Sequence, residues 1–222
     1  MESLISKHIN ELEIYYNLLV EENAKYNLTS ITDKEEAFEK HFNDSIYMNK
    51  IIDLNEVDTL CDIGSGAGFP SLPLKIVYPH LKVTIIEPTL KRVNFMKMVI
   101  DRLGLKDVTV INGRAEDVIE GMRESFDIVT ARAVANLQML LELTVPYSKV
   151  GKYVISYKGS SAIEELKLAD NALKLLNCSM EEIKEYELND SYGKRALLKI
   201  KKNKETNKKY PRRYSEIKKK PL

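Results

Sequence analysis

The sequence predicts an α/β fold: a mostly parallel seven-stranded sheet flanked by helices, preceded by a helical extension. Three observations carry this expectation. From Val57 onward, short β-rich apolar runs alternate with amphipathic helical segments, the pattern of a sheet assembled from β-α-β units. The first of these runs leads directly into Gly64-Ser65-Gly66-Ala67-Gly68, after which a helix begins. The last two runs are joined by Asn189-Asp190-Ser191-Tyr192-Gly193, a turn-forming stretch that implies one antiparallel strand at or near the sheet edge.

The elements follow in order. Leu4, Ile5, Ile9, Leu12, Tyr15, Tyr16, Leu19 and Val20 fall near helical spacing, and the helix should stop near Tyr26-Asn27. Thr32-Asp33-Lys34-Glu35 reads as a capping box with Thr32 as N-cap, opening a helix that carries Ala37, Phe38, His41, Phe42 and Ile46. Strands are expected at Val57–Ile63, Lys82–Glu87, Val108–Asn112, Phe126–Ala131 and Lys152–Lys158. Helices are expected at Thr89–Leu103, ended by Gly104, and at Ala162–Leu176. Two closing strands lie near Glu181–Glu187 and Arg195–Lys201. The chain thus divides into a helical extension (1–50), a core (51–202) and a basic tail (203–222).

Composition bounds the function. A chain of 222 residues with 44% hydrophobic and 30% charged residues can bury a full core in one domain. No apolar run is long enough to span a bilayer, and the early acid at Glu2 argues against a secretory signal. Cys61 and Cys178 sit in apolar stretches, so a disulfide framework is not expected and a reducing cytoplasm fits. The three histidines, His8, His41 and His80, are far apart and there is no Cys-x-x-Cys, so no metal site is expected. The net charge of +1 is uneven: Lys199 to Leu222 holds eleven Lys/Arg and two Glu, a local +9, which leaves −8 on the remainder. A basic end on an acidic body suits an anionic partner, although a solvated tail has the same composition.

The chemistry begins at Leu60-Cys61-Asp62-Ile63-Gly64-Ser65-Gly66-Ala67-Gly68-Phe69-Pro70. Glycines at alternate positions between a strand and a helix allow a sharp turn and close approach of backbone to a ligand. The spacing is G-x-G-x-G and not the G-x-G-x-x-G of dinucleotide sites, which suits a nucleoside with a short charged chain in place of a pyrophosphate. Asp62, at the strand end, can accept from an ammonium or from loop amides. Glu87, nineteen residues after Gly68 and at the end of the next strand, can accept both ribose hydroxyls. The plainer alternative is a tight β-α turn with Glu87 capping the following helix; the ordered set of strand, Asp62, glycine loop, helix, strand and Glu87 favours the nucleoside.

At these residues the chain resembles the RsmG (GidB) family of bacterial ribosomal RNA methyltransferases. Asp62 through Pro70 carries the resemblance, with Asn27-Leu28-Thr29 and His41-Phe42-Asn43-Asp44-Ser45 before it. After it come Lys91-Arg92-Val93-Asn94-Phe95, Arg114-Ala115-Glu116, Ala131-Arg132-Ala133, Tyr157-Lys158-Gly159, Tyr210-Pro211-Arg212-Arg213 and Lys218-Lys219-Lys220-Pro221-Leu222, in the family's order over nearly the whole chain. Two positions depart from the family pattern: Ser71 stands where a glycine is usual, and Tyr214-Ser215-Glu216-Ile217 replaces a Gly-x-Pro turn.

The resemblance implies a Rossmann-like class I methyltransferase core, S-adenosylmethionine as cofactor, and methyl transfer to N7 of a guanine in 16S (small-subunit) ribosomal RNA, naked or in a particle. It implies that Gly64, Phe69, Ala115, Glu116 and Arg132 are cofactor contacts, alongside Asp62, Gly66, Gly68 and Glu87 from the reading above. Guanine N7 has an in-plane lone pair and no proton, so no general base is required, in agreement with the lack of a Cys-His or Ser-His-Asp arrangement.

Each remaining residue has a plain reading beside the functional one. Glu116 can receive the adenine amino group or be a helix-start acid. Arg132, placed as the catalytic residue, can meet the methionine carboxylate or the target guanine, or form a surface salt bridge. Lys91, Arg92, Lys97, Arg212, Arg213, Lys218, Lys219 and Lys220 are candidates for RNA phosphate, against a solvated face. His41 and Asp44 stand undecided between packing and substrate contact, and Tyr153 and Tyr157 read as packing residues. Two other functions compete: a methyltransferase for a small molecule or protein, and a non-catalytic RNA-binding or ribosome-assembly factor. A cytoplasmic monomer with no membrane partner is expected.

Overall fold

A computed structural model describes residues 2–188 and 192–222. Seven strands form one sheet: β1 (Thr59–Ile63), β2 (Lys82–Glu87), β3 (Val108–Asn112), β4 (Phe126–Arg132), β5 (Ser148–Lys158), β6 (Cys178–Glu187) and β7 (Lys194–Lys202), in the order β3-β2-β1-β4-β5-β7-β6. β1 to β5 pair in parallel, and β7 runs antiparallel to both β5 and β6. The strand order reverses beside β1, which opens a crevice at the carboxyl ends of β1 and β4, the usual ligand position of such sheets.

The bounds of β2 and β3 coincide with the sequence expectation, because short β-rich runs flanked by turn residues have sharp edges. Other boundaries move. β1 starts at Thr59, because Leu54–Glu56 forms a 3-10 turn under an Asp53 cap. β5 begins earlier, at Ser148. The helix expected over 162–176 is broken at Ala169 into α9 (Ala162–Leu168) and α10 (Asp170–Leu175). The turn expected at Asn189-Asp190-Ser191 lies outside the described residues.

Before the sheet come α1 (Glu2–Lys7), α2 (Ile9–Tyr26), α3 (Lys34–Ala37) and α4 (Asp44–Ile46), with a π-helical turn at Phe38–Asn43 between the last two. α2 ends on Asn27 in the left-handed region (φ 50°). The N-cap of α3 is Asp33, not Thr32: its carboxylate accepts from the Glu36 amide at 2.9 Å, the stronger capping group one position on. The wider π turn moves His41 and Asp44 out of simple helical register.

α5 (Ser71–Val77) and α6 (Leu90–Leu103) cover one face of the sheet together with α2; α7 (Ala115–Val118), α8 (Leu137–Thr144), α9 and α10 belong to the other side. Leu12, Tyr15 and Leu19 of α2 are fully buried in the same apolar cluster as Phe69 and Phe95, so the helical extension and the core share one interior. The apolar burial that holds this face therefore spans both segments.

The path of the basic segment after β7, which the sequence left open, is a folded one. The segment folds back along α8 and ends in α11 (Tyr214–Lys219), with Tyr210 and Ile217 buried in the second apolar cluster. Arg212 donates through Nε and Nη2 to the fully buried carboxylate of Glu142, at 2.8 and 2.6 Å. Gln138 Nε2 donates to the Leu222 carbonyl at 2.8 Å. Charge counting missed this because its apolar anchors, Tyr210 and Ile217, are few and widely spaced.

Candidate active site

The loop after β1 is shaped by its glycines. Gly64 has φ +72°, and a Cβ there would lie 2.8 Å from Val134 Cγ2, so the loop meets the segment after β4 with no room for a side chain. Asp62, fully buried at the strand end, accepts from the Ser71 amide through Oδ2 at 3.3 Å, while its Oδ1 has no partner among the described residues. Burial raises the Asp62 carboxyl from its ordinary 3.8 to about 6, against the lowering effect of Ser71, Ser65 and Arg132.

Glu87 reaches back to this loop. Its carboxylate accepts from the Gly66 amide at 3.0 Å and from the Thr89 amide at 3.0 Å, and Arg92 Nη1 stands 3.7 Å away. Ionised, it retains lone pairs for further donors. It lines a cavity of about 230 Å³ at the carboxyl ends of β1, β2 and β3, together with Gly64, Arg92, Ala115, Glu116 and Tyr214. Ala115 is held by the buried Tyr147, whose hydroxyl donates to its carbonyl. Burial raises the Glu116 carboxyl above its ordinary value.

A second cavity, of about 650 Å³, adjoins the first through Ala133 and Val134, which line both. Its wall includes Lys40, His41, Asp44, Arg132, Tyr157 and Arg195. Arg132 Nη1 donates to Asp44 Oδ2 at 2.9 Å and to the Lys40 carbonyl at 3.1 Å, and its Nη2 lies 3.4 Å from His41 Nδ1. Tyr186 donates to the other Asp44 oxygen at 2.7 Å. His41 Nε2 lies 3.0 Å from Thr29 Oγ1. Burial, then the charges of Arg132 and Lys40, lower the His41 pKa to about 3, so the ring is neutral at pH 7.

The sequence-named residues thus fall into groups. Gly64, Glu87, Ala115 and Glu116 line the smaller cavity; Gly66 meets it through its bond to Glu87. Phe69, expected as a cofactor contact, is buried and is not among the residues lining that cavity; it stacks between His41 (4.4 Å) and Tyr15 (5.3 Å), with the Arg132 guanidinium 5.3 Å from its ring centre. Gly68 sits against Tyr15 and Leu72, on the helix side of the loop.

Arg92, expected on an RNA-facing surface, turns to the cavity beside Glu87; Lys91 donates to the Tyr26 carbonyl at 2.6 Å, at the end of α2; Lys97 is exposed on α6. Arg212 is engaged by Glu142, whereas Arg213, Lys218, Lys219 and Lys220 are exposed. His41 and Asp44, undecided from sequence, are brought to Arg132; the family-like stretch His41-Phe42-Asn43-Asp44-Ser45 was the signal that marked them. Among the described residues no group of three His, Cys, Asp or Glu side chains is placed to hold a metal, and no helix is long and apolar enough to cross a membrane.

A seven-stranded sheet with one reversed strand, a G-x-G-x-G turn after β1 and an acid ending β2 beside a nucleoside-sized cavity define the class of S-adenosylmethionine-dependent methyltransferases. The fold matches an Aquifex aeolicus SAM-dependent methyltransferase with a TM-score of 0.56 at 21% identity, covering 75% of this chain and 94% of that one. It matches M. jannaschii TYW2, solved in complex with AdoMet, with a TM-score of 0.56 at 18% identity, covering 72% of this chain and 76% of that one. The family model "GidB: rRNA small subunit methyltransferase G" matches residues 8–209. Ribosomal RNA small subunit methyltransferase G of Geobacillus thermodenitrificans is 44% identical over 99% of this chain and 93% of that protein. Its namesake from Bacillus thuringiensis is 46% identical over 95% of this chain and 89% of that protein. The chain belongs to the rRNA small subunit methyltransferase G family.

Proposed function

We propose that the chain transfers the methyl group of S-adenosylmethionine to N7 of a guanine in small-subunit ribosomal RNA. The observation that carries this reading is the pair of adjoining cavities, one beside Glu87 and the glycine loop, the other beside Arg132, meeting at Ala133 and Val134. The residues present fit the cofactor. Glu87 is a buried carboxylate with acceptor capacity left, Asp62 Oδ1 is a buried acceptor without a partner among the described residues, and Gly64 leaves backbone where a Cβ has no space. Glu87 would hold the ribose, Ala115 and Glu116 the adenine, and the loop and Asp62 the amino-acid end.

When bound, S-adenosylmethionine supplies a methyl group on a positively charged sulfur. The chain's own contribution is placement. Guanine N7 needs no deprotonation, and His41, its pKa lowered to about 3 and its Nε2 3.0 Å from Thr29 Oγ1, is a weak proton acceptor, in keeping with a reaction that asks for no general base. Arg132 is fixed by Asp44, Lys40 and His41 in the wall of the larger cavity, next in sequence to the shared Ala133, where it can orient the purine and exclude water. Orientation of this kind contributes on the order of several kcal/mol. Because N7 in an A-form helix lies in a groove too deep and narrow for side chains, the target base must be unpaired or extruded into the larger cavity.

The substrate partner is ribosomal RNA, with Arg213, Lys218, Lys219, Lys220 and Lys97 as exposed cations for phosphate. We take the chain to work as a cytoplasmic monomer; its two buried, unpaired cysteines fit that compartment. Methyl transfer from radiolabelled S-adenosylmethionine, compared across undermethylated small subunits, naked 16S RNA and free nucleosides, tests the reading. Labelled 7-methylguanosine in RNA digests is the expected product. Label in protein or a small molecule, or cofactor binding without transfer, would replace the reading with one of its competitors.

A further inference from the structure

The stretch that departs from the family pattern, Tyr214-Ser215-Glu216-Ile217, is the one that comes to the cofactor cavity. Tyr214 is half-buried and lines that cavity with Arg114, Ala115 and Glu116. The Arg114 guanidinium lies 4.8 Å from the ring centre of Tyr214, which holds the ring from one side. The backbone around it is anchored. Arg212 is locked to Glu142, Arg123 donates to the Tyr210 carbonyl, and Ile217 is fully buried. Glu216 Oε2 accepts from the Arg213 amide at 3.3 Å, closing the first turn of α11.

From this arrangement we infer that Tyr214 is a cofactor-binding residue of this chain, the aromatic wall for the adenine base of S-adenosylmethionine. The inference rests on the assignment of this cavity to the cofactor. An aromatic ring fixed at the edge of a nucleoside-sized cavity offers a purine a flat apolar contact at little entropic cost. The neighbours agree with a base at this end: Ala115 is small and buried, and Glu116 is a carboxylate beside it that can accept from an exocyclic amine. The amino-acid end belongs at the opposite side, by the loop after β1. A wall drawn from the C-terminal segment also places the exposed Lys218 and Lys219, with Lys220 just beyond, on the same short helix as a cofactor contact.

The chain contains no tryptophan, so Tyr214→Trp introduces a single indole reporter at the wall. The expected result is that S-adenosylhomocysteine and adenosine both quench its emission, and free methionine does not. Tyr214→Phe should keep near-parental affinity by calorimetry, and Tyr214→Ala should lose about tenfold, in line with one base–aromatic contact. Thermal unfolding of each variant separates loss of contact from loss of fold. Glu87→Gln serves as the independent check on the cavity. If Glu87→Gln binds S-adenosylhomocysteine as the parent does, the cavity assignment fails and the inference falls with it. If Glu87→Gln is weakened while the indole at 214 stays unquenched with ligand bound, the cavity stands and the role of Tyr214 is overturned.

Discussion

Arg132, the last residue of β4, donates to the Asp44 carboxylate at 2.9 Å across 88 residues of sequence, and so ties the helical extension to β4 in the wall of the larger cavity. The same guanidinium serves the Lys40 carbonyl and faces His41, while Tyr186 of β6 completes the Asp44 carboxylate from the far edge of the sheet. A planar fork is needed to satisfy these partners together. Arg132→Lys keeps the charge and loses the fork, so turnover should fall by about a hundredfold, as misplacement of a positioning group does. Undiminished turnover in the lysine variant would mean that charge alone suffices.

Asp44 is buried, with 4% of its surface exposed, so its loss has a structural cost as well. Asp44→Ala strips the partner from Arg132, whose side chain is 15% exposed, and from the Tyr186 hydroxyl. Breaking such a pair should destabilise the fold by about 3 kcal/mol. Urea denaturation measures it; a midpoint within error of the parent would show that water replaces Asp44 freely.

Glu87 has a double duty, bracing the loop through the Gly66 amide and facing the cavity. Glu87→Gln keeps the shape but turns one acceptor into a donor. Losing hydrogen bonds to a charged acceptor costs about 1.5–3 kcal/mol, so S-adenosylmethionine affinity should drop roughly ten- to a hundredfold by calorimetry. An unaltered affinity in a folded variant would take Glu87 out of the site.

Asp62 makes a pH-dependent prediction. Its folded pKa, about 6, lies above its ordinary 3.8, the reverse of a salt-bridged aspartate. Between those values the folded chain holds a proton that the unfolded chain has released. Stability from this group is therefore present below pH 3.8 and lost as pH rises through about 6, by on the order of 3 kcal/mol. Asp62→Asn should be more stable than the parent at pH 7.5, with the difference vanishing near pH 4. A cationic ligand beside the carboxylate favours its ionised form, so S-adenosylmethionine should bind more tightly as pH rises through about 6, while neutral adenosine should show no such trend. Arg132 is the nearby cation that already lowers this pKa, and Tyr15, Cys61 and Tyr157 are the neighbouring titratable groups. The same slope for both ligands would separate Asp62 from the amino-acid end of the site.

Local signals made much of this architecture legible. β2 and β3 are short, β-rich and sharply bounded, and the G-x-G-x-G turn with Glu87 needed only spacing along the chain. What could not be read were contacts made by folding. The approach of Asp44 to Arg132 follows directly after a π turn that no residue pattern announced. Phe69 stands in a loop motif yet packs into the core, because its neighbours Tyr15 and His41 come from helices far upstream. Arg212 looked like a phosphate ligand by charge alone, whereas its carboxylate partner, Glu142, lies 70 residues earlier on α8. Arg92 likewise turned from surface to cavity.

The final prediction separates charge from structure in the C-terminal segment. Deleting residues 208–222 would remove the buried Tyr210 and Ile217, the Arg212 partner of Glu142, and Tyr214 at the cavity wall. That deletion should lower thermal stability and cofactor affinity together, so it cannot report on RNA alone. Lys218, Lys219 and Lys220 are exposed, and replacing all three with Ala leaves those anchors in place. If they meet phosphates, each contact releases about 0.7–0.9 counterions, so the slope of log affinity against log salt should flatten by roughly 2–3. RNA affinity at low salt should fall accordingly, while S-adenosylmethionine affinity and the unfolding midpoint stay near those of the parent. An unchanged salt slope with normal methylation would assign RNA recognition to another surface, with Lys97 of α6 as the next cation to remove.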